Sequence, residues 1–166
     1  MVVLLRQFNL SDIPLLVKYL NNTLVTQYIT DAIPKPYTQD DAKWWVSQCQ
    51  EDSLFKAIEF NGKFVGCISA QLGQFEYNQS AELGYWLGEE HWSKGIATKA
   101  VELFSQSLLE QHALVRLFVS VVSTNTASIR VLEKNNFVLE GKLSKASYKN
   151  GQYFDELLFA KVIEEK

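Results

Sequence analysis

The sequence predicts a mixed α/β or α+β fold, a sheet carrying helices on both faces. Three observations lead there. Strand-like and helix-like segments follow one another in the order β-α-α-α-β-β-β-α-β-α-β-β. Asn61-Gly62 and Asn150-Gly151 each separate two strand-like runs, and Asn-Gly accepts the positive φ values of a tight hairpin turn. Between a strand-like run and a dense β-branched one, residues 95–111 carry Ile96, Ala100, Val101, Phe104 and Leu108 at helical spacing.

Element by element, residues 2–8 have a β-like apolar composition. Ser11-Asp12 offers a helix N-cap, and Pro14 is tolerated in the first turn that follows. Residues 12–20 and 23–29 read as helices. Pro34 and Pro36 make the segment from Asp31 to Tyr37 a loop. Thr38 can cap a helix running to about Glu51. Leu54 to Phe60 and Phe64 to Leu72 form a hairpin, and Ala81 to Leu87 is a further strand. After the helix at 95–111, Leu114 to Val122 reads as a buried strand. Thr124-Asn125 opens a short helix to about Asn135, and Phe137 to Tyr148 pairs with Tyr153 to Val162.

Composition bounds the function. The 166 residues suit a single domain spanning 1–166, and 47% hydrophobic with 21% charged is ordinary for a globular protein. A chain of this length removes about 70% of its unfolded surface from water. A net charge of -3 argues against a general nucleic-acid binder, which needs a basic face. The apolar start is too short for a signal peptide, and no run approaches the roughly 20 apolar residues that span a bilayer. The expected compartment is the cytoplasm, with no membrane partner. Cys49 and Cys67 lack metal-ligand spacing and read as buried small hydrophobes; no metal is expected.

The most informative segment is Glu89-Glu90-His91-Trp92-Ser93-Lys94-Gly95-Ile96-Ala97-Thr98, which joins a strand to an amphipathic helix. Small residues at 93, 95, 97 and 98 let an anion approach the backbone. The first N–H groups of a helix have no internal partners, and its dipole favours negative charge there. That is a recipe for a phosphate or pyrophosphate cradle, to which Lys94 could add charge. The competing reading is a plain strand-to-helix turn. Neither a P-loop ending nor G-x-G-x-x-G is present.

Residues 92–97 resemble the coenzyme A signature of the GCN5-related N-acetyltransferases (GNAT), [Gln/Arg]-x-x-Gly-x-[Gly/Ala]. Ala81-Glu82-Leu83-Gly84-Tyr85-Trp86-Leu87 resembles that family's central strand. Asn125 to Phe137 resembles its second signature, N-x-x-[Ala/Ser]-I-x-x-[Tyr/Leu]-E-K-x-Gly-Phe. The likeness covers nearly the whole chain. It is nearest the branch that acetylates the N-terminal amines of ribosomal proteins (RimJ/RimL-like). The resemblance implies a mostly antiparallel sheet with a splayed central strand pair, and acetyl-CoA as co-substrate. It implies that the backbone of Ser93, Lys94, Gly95, Ile96, Ala97 and Thr98 binds the pyrophosphate. The backbone of Trp86 and Leu87 would pair with the pantetheine arm, and the Asn125 side chain would bond the coenzyme.

Three departures stand out. Trp92 replaces the usual Gln or Arg. Asn136 replaces the Gly before Phe137, a turn Asn tolerates. Leu132 stands where many members carry a Tyr acid, so Ser128 becomes the candidate for protonating the thiolate. Ser120 occupies a position where some relatives place a catalytic Glu. Glu82, the acidic residue of the central strand, is the candidate base for the amine; a structural carboxylate is the competing reading. His91 is expected to point to solvent and His112 to lie at a helix end. Tyr28, Asp31, Tyr85 and Tyr148 are candidate acceptor contacts; Tyr37, Trp44, Trp45, Trp86 and Tyr153 could join them, although aromatics more often pack. Lys142, Lys145 and Lys149 read as a solvated face. The expected function is acetyl transfer from acetyl-CoA to a primary amine, on a protein N-terminus or a small molecule. The alternative is a non-catalytic acetyl-CoA sensor. The sequence leaves open whether the chain is a monomer or a homodimer.

Overall fold

The structure is a computed structural model that describes residues 2–50 and 52–163. The elements are β1 (Val3–Arg6), α1 (Ile13–Leu20), α2 (Thr23–Thr26), α3 (Gln39–Cys49), β2 (Phe55–Phe60), β3 (Lys63–Leu72), β4 (Ser80–Leu87), α4 (Ile96–Gln111), β5 (Arg116–Val122), α5 (Thr126–Lys134), β6 (Val138–Lys149) and β7 (Gln152–Val162). Single 3-10 turns lie at Leu10–Asp12, Phe75–Tyr77 and Glu89–His91. The seven strands hydrogen-bond in the order β1-β2-β3-β4-β5-β7-β6. The chain divides into two compact units, one made of Met1–Ser69 and Tyr85–Ala100, the other of Ala70–Gly84 and Val101–Lys166.

In the first unit β1 and β3 pair antiparallel with β2. The β2–β3 turn takes φ of 49° at Asn61 and 79° at Gly62, as the Asn-Gly pair requires. Phe8, Leu16, Tyr19, Ala42, Val46, Cys49, Ala57, Phe64 and Cys67 share one buried core, on which Trp45, Phe55 and Trp86 pack. Gly66 has a packing reason: a Cβ there would meet the Trp86 carbonyl oxygen at 2.2 Å.

Helix starts follow local chemistry, with one correction. Thr38 caps α3 in a reciprocal box with Asp41. Asp12 makes no side-chain cap to α1. Its buried carboxylate accepts 2.8 Å bonds from Arg6 Nη1 and Nη2, while Asn9 caps the preceding 3-10 turn. The partly exposed Arg6 guanidinium outcompetes the cap, because a buried carboxylate without a partner is costly. The second helix is also shorter than its sequence reading, ending at Thr26. Glu51, the expected end of α3, lies outside the described residues.

In the second unit β5 pairs antiparallel with β7, and β7 with β6. The β6–β7 turn takes φ of 50° at Asn150 and 78° at Gly151. Asn136 has φ of 63°, the left-handed conformation its place before Phe137 demands. β4 runs parallel to β5 over three pairs, Ser80↔Arg116, Ala81↔Leu117 and Glu82↔Phe118. β5 continues in register with β7 to Val122↔Glu156. The β4–β5 ladder therefore stops at Glu82, as a splayed strand pair requires. Among the described residues, no helix is long and apolar enough to cross a membrane.

Candidate active site

The turn before α4 has the geometry of an anion cradle. Ser93 has φ of 58° and Gly95 of 75°, so two of three successive residues are left-handed. Such turns point consecutive N–H groups into one concavity. Gly95 also accepts the first helical bond, from the Lys99 N–H at 3.1 Å. α4 begins at Ile96 and runs 16 residues, so its unpartnered N–H groups and dipole face the same turn. Ser93, Lys94 and Gly95 are exposed, Ala97 and Thr98 half-buried, and Ile96 is a core residue that anchors the helix. The donors and dipole suit a pyrophosphate.

Three side chains brace this turn, and only one of them was expected to matter there. The Trp92 indole N–H donates to the Leu87 carbonyl at 2.9 Å. A Trp in place of Gln or Arg thus ties the end of β4 to the cradle, and it engages a carbonyl expected to meet the pantetheine. Lys94 Nζ donates to the Glu90 carbonyl at 2.6 Å, folding back on the 3-10 turn. His91 does not point to solvent. Its ring packs edge-on against Tyr19, and Nε2 lies 3.0 Å from the Tyr19 hydroxyl. Burial holds its pKa below the ordinary histidine value against the raising effect of Glu90. Tyr19, itself packed against Phe64 and Trp86, holds the ring inward, a tertiary effect invisible in the local sequence. An open pocket of about 310 Å³ lined by Lys18, Tyr19, Asn22, Glu89 and Glu90 lies in the same unit. Its carboxylates are engaged: Glu90 by Lys18 at 2.6 Å and Glu89 by Asn22 at 2.7 Å.

The other candidates of this unit have structural partners of their own. Asp31 pairs with Lys35 at 3.1 Å in the loop after α2. Tyr28 is at the exposed edge of that segment, and Tyr85 is half-buried in β4. Trp44 is exposed, whereas Trp45 packs edge-on against Phe8 and Phe55. Tyr37 is buried, and burial raises its pKa to about 12. Cys49 and Cys67 are buried thiols; burial pushes Cys49 up to about 12 and Cys67 higher still, so neither is a nucleophile at neutral pH.

In the second unit Asn125 is the N-cap of α5, its Oδ1 accepting the Ser128 N–H at 3.2 Å. Its amide nitrogen is the end left to act as a donor. Ser128 sits in the first turn of α5, half-buried, where the helix dipole favours a hydroxyl that gives up a proton. Leu132 is fully buried, so the position of the usual Tyr is given to packing. Glu82 has its pKa raised, first by burial and then by the charge of Glu156. Glu156 on β7 accepts a short hydrogen bond from the Ser120 hydroxyl. Glu156 was missed in the sequence because nothing local marks it; only the β5–β7 register brings it to Ser120. Tyr148 is exposed, its ring tilted by 52° against that of Tyr153 with centroids 4.8 Å apart. Lys142 pairs with Asp155, and Lys145 lies 5.7 Å over the Tyr153 ring.

A left-handed turn opening a long helix is the kind of backbone site that suits a phosphate-bearing ligand. Residues 3–138 match the acetyltransferase (GNAT) domain family, and the chain belongs to that family. It is 34% identical over 116 residues to the ribosomal-protein-serine acetyltransferase of Escherichia coli, covering 69% of this chain and 58% of that protein. The match thus spans under two thirds of that relative's length. An acetyltransferase structure from Bacillus anthracis superposes with a TM-score of 0.84 at 22% identity, covering 98% of this chain and 95% of that one. A ribosomal α-N-protein acetyltransferase in complex with coenzyme A gives the same TM-score at 24% identity, with coverage of 98% and 95%. These two structures show the shared fold. Family membership makes acetyl-CoA the co-substrate and N-acetyl transfer the class of reaction.

Proposed function

We propose that this chain acetylates the α-amino group of a protein N-terminus, in the cytoplasm. The observation that carries the reading is the left-handed turn at Ser93 and Gly95 opening α4, a backbone anion site on the residues that resemble the family's coenzyme A signature. The E. coli relative, which acts on a ribosomal protein, supports the choice of acceptor.

The residues divide the work as follows. The N–H groups of Ser93 to Thr98 hold the pyrophosphate, and the backbone of Trp86 and Leu87 orients the pantetheine. The Asn125 amide adds a donor. An ammonium cannot attack, so Glu82 takes its proton. The free amine then attacks the thioester carbonyl; the C–N bond forms and the C–S bond breaks. The second amine proton reaches the departing thiolate through Ser128. A thiolate needs little help to leave, since a free thiol has a pKa of about 8.5. Tyr28, Asp31, Tyr85 and Tyr148 are the proposed acceptor contacts.

A library of N-terminal peptides and small amines, incubated with the protein and acetyl-CoA and read by mass spectrometry, tests this. The expected result is one acetyl group on an α-amine with an equal amount of free thiol. Acetylation of small amines alone would overturn the acceptor class. Binding without turnover would favour a sensor.

A further inference from the structure

The carboxylate of Glu156 has no role in the reaction as set out above, yet its position is controlled. Side chains at Arg116, Phe118, Ser120 and Val122 share one face of β5, because alternate strand residues point the same way; Leu117, Val119 and Val121 are the buried opposite face. The register carries that face to Glu82 on β4, opposite Phe118, and to Glu156 on β7, opposite Val122. Glu82 and Glu156 therefore stand on the same face of three adjacent strands, with Ser120 between them donating to Glu156. Glu82 is the last β4 residue paired with β5.

The charged groups on this face do not neutralise the pair. Arg116 is committed elsewhere: its guanidinium forks onto Glu140 of β6 at 2.8 and 2.5 Å and lies over Phe118. Lys142 of β6 is held by Asp155, which belongs to the alternate parity of β7. The β6 residue opposite Glu156 is Leu143. Two carboxylates on one face, one of them held by a neutral hydroxyl, with Arg116 and Lys142 paired to other acids, are an arrangement that an incoming cation would relieve.

We propose that Glu156, tethered by Ser120, is a positioning residue for proton transfer: it fixes a second negative charge on the face of Glu82, so that an arriving ammonium is drawn to the pair and gives its proton to Glu82. The proposal rests on the α-amine acetylation proposed above. In the step, one N–H bond of the ammonium breaks and an O–H bond forms on Glu82. The neutral amine goes on to the thioester, and Glu82 releases its proton to water after transfer. Burial raises the pKa of Glu82, and the charge of Glu156 adds to that rise.

The test is the pH profile of kcat/KM for a peptide that the wild type acetylates, measured for wild type, Glu156→Gln, Glu156→Asp and Glu82→Gln. Glu82 must be ionised to act, so its titration forms the acidic limb. Glu156→Gln removes the neighbouring charge and should move that limb down by at least about 0.5 pH unit, with a higher KM for the peptide. Glu156→Asp keeps the charge and should hold the limb near its wild-type position. Glu82→Gln should erase the limb. Coenzyme A affinity, followed by calorimetry, should be unchanged in all three, which separates this role from a general loss of structure. If Glu156→Gln does not fold, Ser120→Ala replaces it, and loss of the tether should raise the peptide KM. An acidic limb and KM unchanged by Glu156→Gln, or by Ser120→Ala where that stands in, would overturn the proposal while leaving the acetylation reading intact. Failure of the wild type to acetylate any amine would overturn both.

Discussion

The turn at Ser93–Thr98 and the carboxylates Glu82 and Glu156 solve opposite electrostatic problems by different means. The turn presents positive potential to an anion with main-chain donors, so its recognition depends on φ angles at Ser93 and Gly95 more than on side-chain identity. The carboxylates present negative potential to a cation with side chains on β4 and β7, and their placement depends on strand register. A backbone site is sensitive to any Cβ that forbids its conformation. A side-chain site is sensitive to charge and indifferent to small changes of shape. Substitutions can therefore break one region while sparing the other.

The largest expected effect belongs to proton transfer. Ser128→Ala should lower kcat by about 10²- to 10⁴-fold, the usual range for a lost acid or base, with coenzyme affinity little changed. Single-turnover kinetics with a reactive peptide would show it; a kcat within a few-fold of wild type would return the thiolate proton to water. Gly95→Val comes next. A β-branched residue at φ of 75° is strained, and the turn must reshape. Coenzyme affinity should fall at least tenfold, about 1.4 kcal/mol, by calorimetry.

Asn125→Ala sharpens the comparison, because this residue is both a helix cap and a coenzyme candidate. Loss of the cap should cost about 1 kcal/mol of stability, and loss of the amide should weaken coenzyme binding more than acceptor binding. A stability loss with unchanged coenzyme affinity would leave it a cap only. Thr38→Ala is the control in α3: about 1 kcal/mol lost in denaturant melts, with coenzyme affinity and turnover retained.

The same contrast explains what could be read from the sequence. The cradle was legible because its requirements are local: small residues, Gly95 and a following amphipathic helix occupy one continuous stretch. Both Asn-Gly hairpins and the left-handed Asn136 were legible for the same reason. The inward turn of His91 was not, since Tyr19 reaches it from a segment 72 residues away. The diversion of Asp12 from its cap to Arg6 needed the buried environment that packing supplies. Glu156 carries no local signature; it becomes notable only when the pairing of β5 with β7 brings it to Ser120. The turn before α4 is marked in one continuous stretch of sequence, while Glu82, Ser120 and Glu156 come to one face only through strand register.

The most direct measurement of the central claim is a calorimetric titration of coenzyme A and of pantetheine, which lacks the pyrophosphate, into wild type and a folded Gly95→Val variant. If the turn at Ser93–Thr98 holds the pyrophosphate, wild type prefers coenzyme A by at least about tenfold, and the variant loses that preference. A folded Gly95→Val protein that retained the wild-type preference for coenzyme A would contradict the account.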